Sequence, residues 1–244
     1  MGRLSSSLVM LLAILIASCA DDGGTLYLAA KKGSLEEVQR FVADGAEIDQ
    51  PDSGGFTPLH ASIMYRHGEV ARYLLDQGAD ANAVAVYGVT PLHVAQDEDI
   101  VRWLLEKGAR VDAWSKTRGT PLHAAVTGNS LEAVGLLLDA GAPPGAGDIH
   151  GSTALHHAAG KGRNGIVTLL IDAGANVDAV NELKFAPLHW AAGNGHAEVV
   201  ALLMDSGATA TLKGHNGATP RDMAMAKGHA EIAHMLETGG ADSS

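Results

Sequence analysis

Twelve histidines stand among the 244 residues, and five of them, His60, His93, His123, His156 and His189, fall at nearly regular intervals. Imidazole is the commonest protein ligand for zinc, so such a series first raises the question of a metal centre. On equivalent places of neighbouring helices the five would stand about 8–10 Å apart, whereas a zinc ion needs donors about 2 Å away on all sides. Adjacent members therefore cannot share an ion, and neither metal nor cofactor is expected. His157, His196 and His229 lie outside the series, but no i, i+4 ligand pair with a carboxylate accompanies them.

Gly160-Lys161-Gly162-Arg163-Asn164-Gly165 matches G-x-G-x-x-G letter for letter. A dinucleotide site needs a strand before that motif and a helix whose amino terminus receives the pyrophosphate. Here a helical segment precedes it, and Gly193-Asn194-Gly195 recurs 33 residues on, so the glycines read as a bend between helices. A Gly-x-Ser-x-Gly elbow, a P-loop and a His-Glu-x-x-His pair are all missing from the sequence. Asp76, Glu106, Asp139, Asp172 and Asp205 recur near helix ends and read as a solvated face. No reaction is indicated, and an enzyme is not expected.

Cys19 is the single cysteine, which excludes an intrachain disulfide and a thiolate metal cluster. Before it lie Arg3, the polar Ser5-Ser6-Ser7 and the apolar run from Leu8 to Ala17. That run suits a signal-peptide core and falls short of the roughly 20 residues that span a bilayer. Its end, Ile16-Ala17-Ser18-Cys19, resembles the bacterial lipobox, whose cysteine receives diacylglycerol. The resemblance implies a signal peptide over 1–18, a lipid on Cys19, a tether over 19–23 and a periplasmic protein anchored to a bacterial membrane. Ala20 after the cysteine points to the outer membrane. Ser18-Cys19-Ala20 also satisfies ordinary signal cleavage, which would release a soluble secreted protein.

The formal charge is −11, and loss of Arg3 with the leader would make it −12. Phosphate-rich partners are bound chiefly through clustered Lys and Arg, so nucleic acid and anionic lipid surfaces are excluded as partners, and membrane contact is expected through the lipid alone. Aromatics make up 4% of the chain while glycines number 30. Layers of small residues joined by many turns fit that balance better than one aromatic-filled core.

What positions the histidines is a repeat. Thr57-Pro58-Leu59-His60, Thr90-Pro91-Leu92-His93, Thr120-Pro121-Leu122-His123, Thr153-Ala154-Leu155-His156 and Ala186-Pro187-Leu188-His189 recur at intervals of 33, 30, 33 and 33, and Thr219-Pro220 follows 33 residues later. A second marker, Gly-Ala at Gly45, Gly78, Gly108, Gly141, Gly174 and Gly207, keeps the same count. The shared shortfall of three residues lies between Thr90 and Gly108.

These motifs resemble the ankyrin repeat, a turn, two short antiparallel helices and a projecting hairpin loop. The resemblance covers about residues 24–239 and implies an all-α solenoid. It divides into an amino-terminal cap (24–56), five central units (57–89, 90–119, 120–152, 153–185, 186–218) and a carboxy-terminal cap with a polar tail (219–244). Each threonine can cap a helix with its hydroxyl, proline suits the first helical position, and leucine points inward. Small residues at Ala29, Ser62, Ala95, Ala125, Ala158, Ala191 and Ala224 let neighbouring helices approach. The resemblance further implies that the series histidines tie each turn to its neighbour by hydrogen bonds. Irregularities are expected at Ala186, which lacks a capping hydroxyl, at Arg118 and Lys184, which replace a turn glycine, at Pro143-Pro144, whose loop should be extended, and around Gln96-Asp97-Glu98.

The same resemblance places recognition on loop tips and on the inner face of the first helices. In this sequence those positions are Pro51, Ser53 and Phe56; Val84, Val86, Tyr87 and Val89; Trp114 and Lys116; Ile149 and His150; Glu182, Leu183 and Phe185; and His215 with Asn216. First helices add Met64, Tyr65, His157 and Trp190. The segment Val84 to Val89 carries no charge, and with Phe56, Trp114, Phe185 and Trp190 it would form an apolar stripe suited to an interface. Alternatively, some of these side chains fold down between loops and seal the stack. Tyr87→Ala with Trp190→Ala is expected to spare the fold and abolish binding. The function expected is protein binding, with self-association as the competing reading.

Overall fold

The structure, a computed structural model, describes residues 25–238. Cys19, the leader, the tether and the last six residues lie outside them. Among the described residues there are fourteen α-helices and no strand longer than an isolated bridge.

The helices come in seven pairs: α1 (Leu26–Lys32) and α2 (Leu35–Ala43), α3 (Pro58–Met64) and α4 (Gly68–Asp76), α5 (Pro91–Val94) and α6 (Glu98–Glu106), α7 (Pro121–Gly128) and α8 (Leu131–Asp139), α9 (Ala154–Gly160) and α10 (Asn164–Asp172), α11 (Pro187–Asn194) and α12 (Ala197–Asp205), α13 (Pro220–Ala226) and α14 (Ala230–Thr238). First helices pack in succession, α1 on α3 through to α11 on α13, and second helices likewise, α2 on α4 through to α12 on α14. The chain is thus a two-layered stack in which no pair buries its own apolar stripe without a neighbour.

The stripe is read directly from the sequence. Val70, Ala71 and Leu74 on α4 are matched by Ile100, Val101 and Leu104 on α6 and by Ile166, Val167 and Leu170 on α10, all buried. Spacing of i, i+1 and i+4 sets one face of a helix against the stack. Each fully buried leucine contributes about 1.5–3 kcal/mol. On the first helices the small position is buried throughout, from Ala29 to Ala224, and Ser62 donates its hydroxyl to the Leu59 carbonyl at 2.8 Å.

The Gly-Ala marker ends the second helices. Gly78 takes φ +93, and Ala79 N–H then donates to the Leu74 carbonyl at 2.9 Å. Ala109, Ala142, Ala175 and Ala208 close onto Leu104, Leu137, Leu170 and Leu203 in the same way. This six-residue closure satisfies carbonyls that a helix end leaves open.

The three missing residues come out of one first helix. Helix α5 has four residues where its counterparts have seven or eight, and Ala95 after it is extended, with ψ 126. Asp97 then caps α6 by accepting from Asp99 and Ile100 N–H at 3.1 and 3.3 Å. The lost turn leaves a notch of about 890 Å³ between the neighbouring bends, bordered by Met64, Gln96, Trp103 and Asn129.

Candidate protein-binding surface

Six loops project from the stack at 44–57, 77–90, 107–120, 140–153, 173–186 and 206–219, numbered here as the first to the sixth. Their bases are held by the histidine series. Thr57 N–H donates to His60 Nδ1 at 3.2 Å, and the ring's Nε2 lies 3.3 Å from the Val89 carbonyl in the next loop. The same pair of contacts is made by His93 to Gly119, His123 to Ser152, His156 to Phe185 and His189 to Ala218, with Nε2 to carbonyl distances of 2.8 to 3.3 Å. A carbonyl only accepts and a backbone N–H only donates, so each ring must be neutral with its proton on Nε2. Burial lowers the pKa of all five, to about 4 for His60 and His156, against the weaker pull of the carbonyls.

Two ends of the series differ. Ala186 offers no hydroxyl, yet its N–H still donates to His189 Nδ1 at 3.0 Å. In the last unit Asp222 replaces the imidazole, accepting from Thr219 N–H at 2.9 Å, and holds the turn.

The tips are laced by backbone hydrogen bonds one residue wide. Val86 N–H donates to Gly54 at 2.9 Å, Lys116 to Tyr87 at 2.8 Å, Glu182 to His150 at 3.0 Å and His215 to Leu183 at 2.9 Å. Three tips are further shaped by a side chain the sequence reading passed over. Asp52 accepts from Gly54 and Phe56 N–H, Asp148 from His150 and Ser152, and Asn181 from Leu183 and Phe185, all at 2.8 to 3.0 Å. Their recurrence five residues before each motif was available as a signal.

At the turn position two residues before the motif, Gly55, Gly88, Gly151 and Gly217 have positive φ. Lys184 adopts φ +57 itself, whereas at Arg118 the left-handed conformation passes to Gly119, φ +67. The third loop consequently closes through paired Ser115 and Gly119 hydrogen bonds of 2.7 and 2.9 Å. The loop at Pro143-Pro144 forms a turn, with Ala146 N–H reaching the Pro143 carbonyl at 3.3 Å, rather than the extended run expected.

Of the apolar side chains expected at the surface, Val84 (66% exposed) and Tyr87 (63%) project most, and Val86, Trp114, Ile149, Leu183, Met64 and Tyr65 are also exposed, as are Lys116, His150, Glu182 and His215. Tyr65 carries the Lys31 ammonium 5.2 Å from its ring centre. Val89 is a correction: at 4% exposure it is a core residue, because its loop is turning inward to present its carbonyl to His60.

Phe56, Phe185, Trp190 and His157 are half-buried. Phe56 packs edge-on against His60 at 5.6 Å, and Phe185 rests on His189 and His215 at 5.3 and 5.6 Å. Trp190 meets His156 and His157 at 5.8 and 5.5 Å and lies so close over Gly160 that a Cβ there would come within 2.8 Å. Trp190 is therefore a seal in the stack, and its removal cannot spare stability. Val180, 52% exposed, was missed although it shares the register of Val84 and Trp114.

His157 donates from Nε2 to Asp148 Oδ2 at 2.8 Å. Burial raises the pKa of the Asp148 carboxyl, but His157 and the two backbone N–H groups outweigh it and hold the value below its usual range. Gly160 ends α9, Asn164 and Gly165 open α10, and the three residues between them form the bend, with Gly162 (φ +66) facing His196 of the next unit. His196 in turn lies 3.1 Å from the Gly160 carbonyl, as His67 does from Lys31, so these histidines form a second series. Among the described residues no cluster of three or more His, Cys, Asp or Glu is placed to hold a metal ion.

The chain belongs to the ankyrin-repeat family: the family model for ankyrin repeats in three copies matches residues 26–114, 111–181 and 164–243. Its backbone superposes on the human ASB11 ankyrin repeat domain with a TM-score of 0.80 at 29% identity, covering 88% of this chain and 97% of that one. For the ankyrin repeat domain of Bcl-3, a member of the IkappaB protein family, the TM-score is 0.74 at 33% identity, covering 89% and 100%.

Curated relatives match over single stretches. Human protein phosphatase 1 regulatory subunit 27 is 41% identical over 66 residues, 27% of this chain and 43% of the relative. The potassium channel AKT1 of Arabidopsis thaliana is 32% identical over 78 residues, 32% of this chain and 9% of the relative. The chain thus spans less than half the length of these relatives, and what they share is the repeat.

Proposed function

We propose that this chain is a non-catalytic binding module that recognises a partner protein through its loop tips and the inner face of its first helices. The observation that carries the reading is the second loop. Val84, Val86 and Tyr87 are exposed, uncharged and held rigid by the lacing of Val86 to Gly54 and Lys116 to Tyr87, beside exposed Trp114. Apolar side chains kept in water on an ordered scaffold are the composition of an interface centre. Relatives that are regulatory subunits of protein phosphatase 1 accord with an accessory role. In the sequence, Ile16-Ala17-Ser18-Cys19 supports export and lipid attachment close to a membrane of a bacterial envelope.

Two measurements test this. The full chain and its Val84→Asp/Tyr87→Asp variant, both crosslinked in intact cells, should show equal melting and a partner adduct in the first alone. An adduct unaffected by the variant refutes the assignment, and a mass that rises with protein concentration in sedimentation favours self-association instead. For the anchor, labelled palmitate should enter the wild type and not Cys19→Ser; no label in either refutes it.

A further inference from the structure

Adjacent tips are laced through the residue four positions before each motif, and the fourth loop breaks the pattern. Its counterpart residue is Ile149, and among the described residues the Ile149 N–H donates to no acceptor, while those of Val86, Lys116, Glu182 and His215 all reach the preceding loop. The physical cause is Arg118. By passing the left-handed turn to Gly119 it changes the closure of the third loop, and the acceptor in register, the Thr117 carbonyl, no longer meets its partner. Only the Trp114 indole N–H crosses between these tips, to the Gly147 carbonyl at 3.3 Å. A gap of about 400 Å³ opens there, floored by His123 and His157.

The charge around the gap runs against the chain. With 28 acidic and 17 basic residues the protein is strongly anionic, yet the gap is bordered by Lys116 and Arg118. Its one carboxylate, Asp148, is already occupied by His157 and two backbone N–H groups. Among the described residues Lys116 and Arg118 have no carboxylate within 4.0 Å, nor have Lys184 and Lys213 on the loops beyond.

We propose that the gap between the third and fourth loops seats a glutamate or aspartate side chain from an acidic segment of the partner protein, with Trp114 and Ile149 taking apolar residues on either side. The carboxylate accepts from the Ile149 N–H and neutralises Lys116 and Arg118. Two unpaired cations and a free N–H converging on one opening are the donors that a charge-assisted, bidentate contact uses. Beyond Glu182, Lys184 and Lys213 on the fifth and sixth loops add positive charge along the path of the segment. This rests on the protein-binding reading above and names the chemistry of the partner.

The test uses the full chain and a blocked nonapeptide of three Glu-Glu-Leu repeats, followed by fluorescence anisotropy and by amide resonances. Binding should weaken at least tenfold for the Gln-Gln-Leu peptide and for Lys116→Glu/Arg118→Glu, and should weaken with added salt. The largest amide shifts should fall on Ile149, Lys116 and Arg118. Equal affinity for both peptides, no binding at about millimolar peptide, or shifts centred elsewhere overturn the proposal. If the peptide fails while the crosslinked adduct still depends on Val84 and Tyr87, the acidic-segment inference falls alone; if both fail, the binding function falls with it.

Discussion

Replacing His60 by glutamine separates the hydrogen bonds of the histidine series from their protonation. At neutral pH the variant loses a buried link between two loops, about 1–2 kcal/mol. The informative quantity is how that loss changes with pH. The folded-state pKa of His60 lies near 4, below the unfolded value of about 6.5, so the unfolded chain takes up the proton first. Stability contributed by the neutral ring is complete above about pH 7 and drains as pH falls from about 6.5 towards 4. At about pH 5.5 the unfolded imidazole is some nine-tenths protonated and the folded one hardly at all, which costs about 1.4 kcal/mol per ring. His156, with the same folded value, doubles this to about 3 kcal/mol, a large share of an ordinary domain stability of about 5–15 kcal/mol. His93, His123 and His189 shift in the same direction. Urea unfolding followed by circular dichroism at about pH 7.5, 6.5 and 5.5 reads this directly. The wild type should lose stability steeply, and the gap to His60→Gln should close by about 1.4 kcal/mol across the range. Parallel curves would show that His60 is protonated in the fold and that the tautomer assignment is wrong.

Three further outcomes follow from the geometry. Lys184→Gly should raise stability by about 1 kcal/mol, because a side chain with Cβ at φ +57 is strained where glycine is not; an unchanged urea midpoint would count against that strain. Trp190→Ala should cost about 2 kcal/mol through lost packing, while Trp114→Ala, whose ring is about half exposed, should leave the thermal midpoint within a few degrees. Gly160→Ala should destabilise the wild type yet be tolerated in a Trp190→Ala background, since Trp190 Cε3 is the atom its Cβ would strike; additive losses in the double variant would refute that contact.

The fold was legible because two unrelated markers kept one count, and each has a local physical cause. Threonine and histidine build the amino-terminal turn, and glycine with alanine builds the closure of the second helix. The surface was less legible, since loop residues were assigned by register alone. Register does not say where a backbone turns inward, which buries Val89, nor which aromatic lies over a glycine of the preceding unit, which half-buries Trp190. The three-residue deficit could be placed in the third unit by counting. That it shortens α5 rather than the connection to α6 depends on Asp97 capping the second helix and fixing its start. The displaced turn at Arg118 needed coordinates, because a residue in place of the turn glycine can take the left-handed conformation itself, as Lys184 does, or pass it to a neighbouring glycine, as Arg118 does to Gly119.

Recognition in such an array must come from the places where the repeat is not repeated. His60, His93, His123, His156 and His189 are all 3% exposed or less and do the same work in each unit, so they cannot distinguish one partner from another. The residue four positions before each motif behaves in the opposite way. At Val86, Lys116, Glu182 and His215 its backbone N–H laces the tips, which frees the side chain from any structural duty. That side chain is accordingly apolar, cationic, anionic and imidazole in turn. Where the lacing fails, at Ile149, the backbone group itself becomes available to a partner. The structural load sits on the backbone and the buried imidazoles, so the tips could vary without unstacking the helices beneath them.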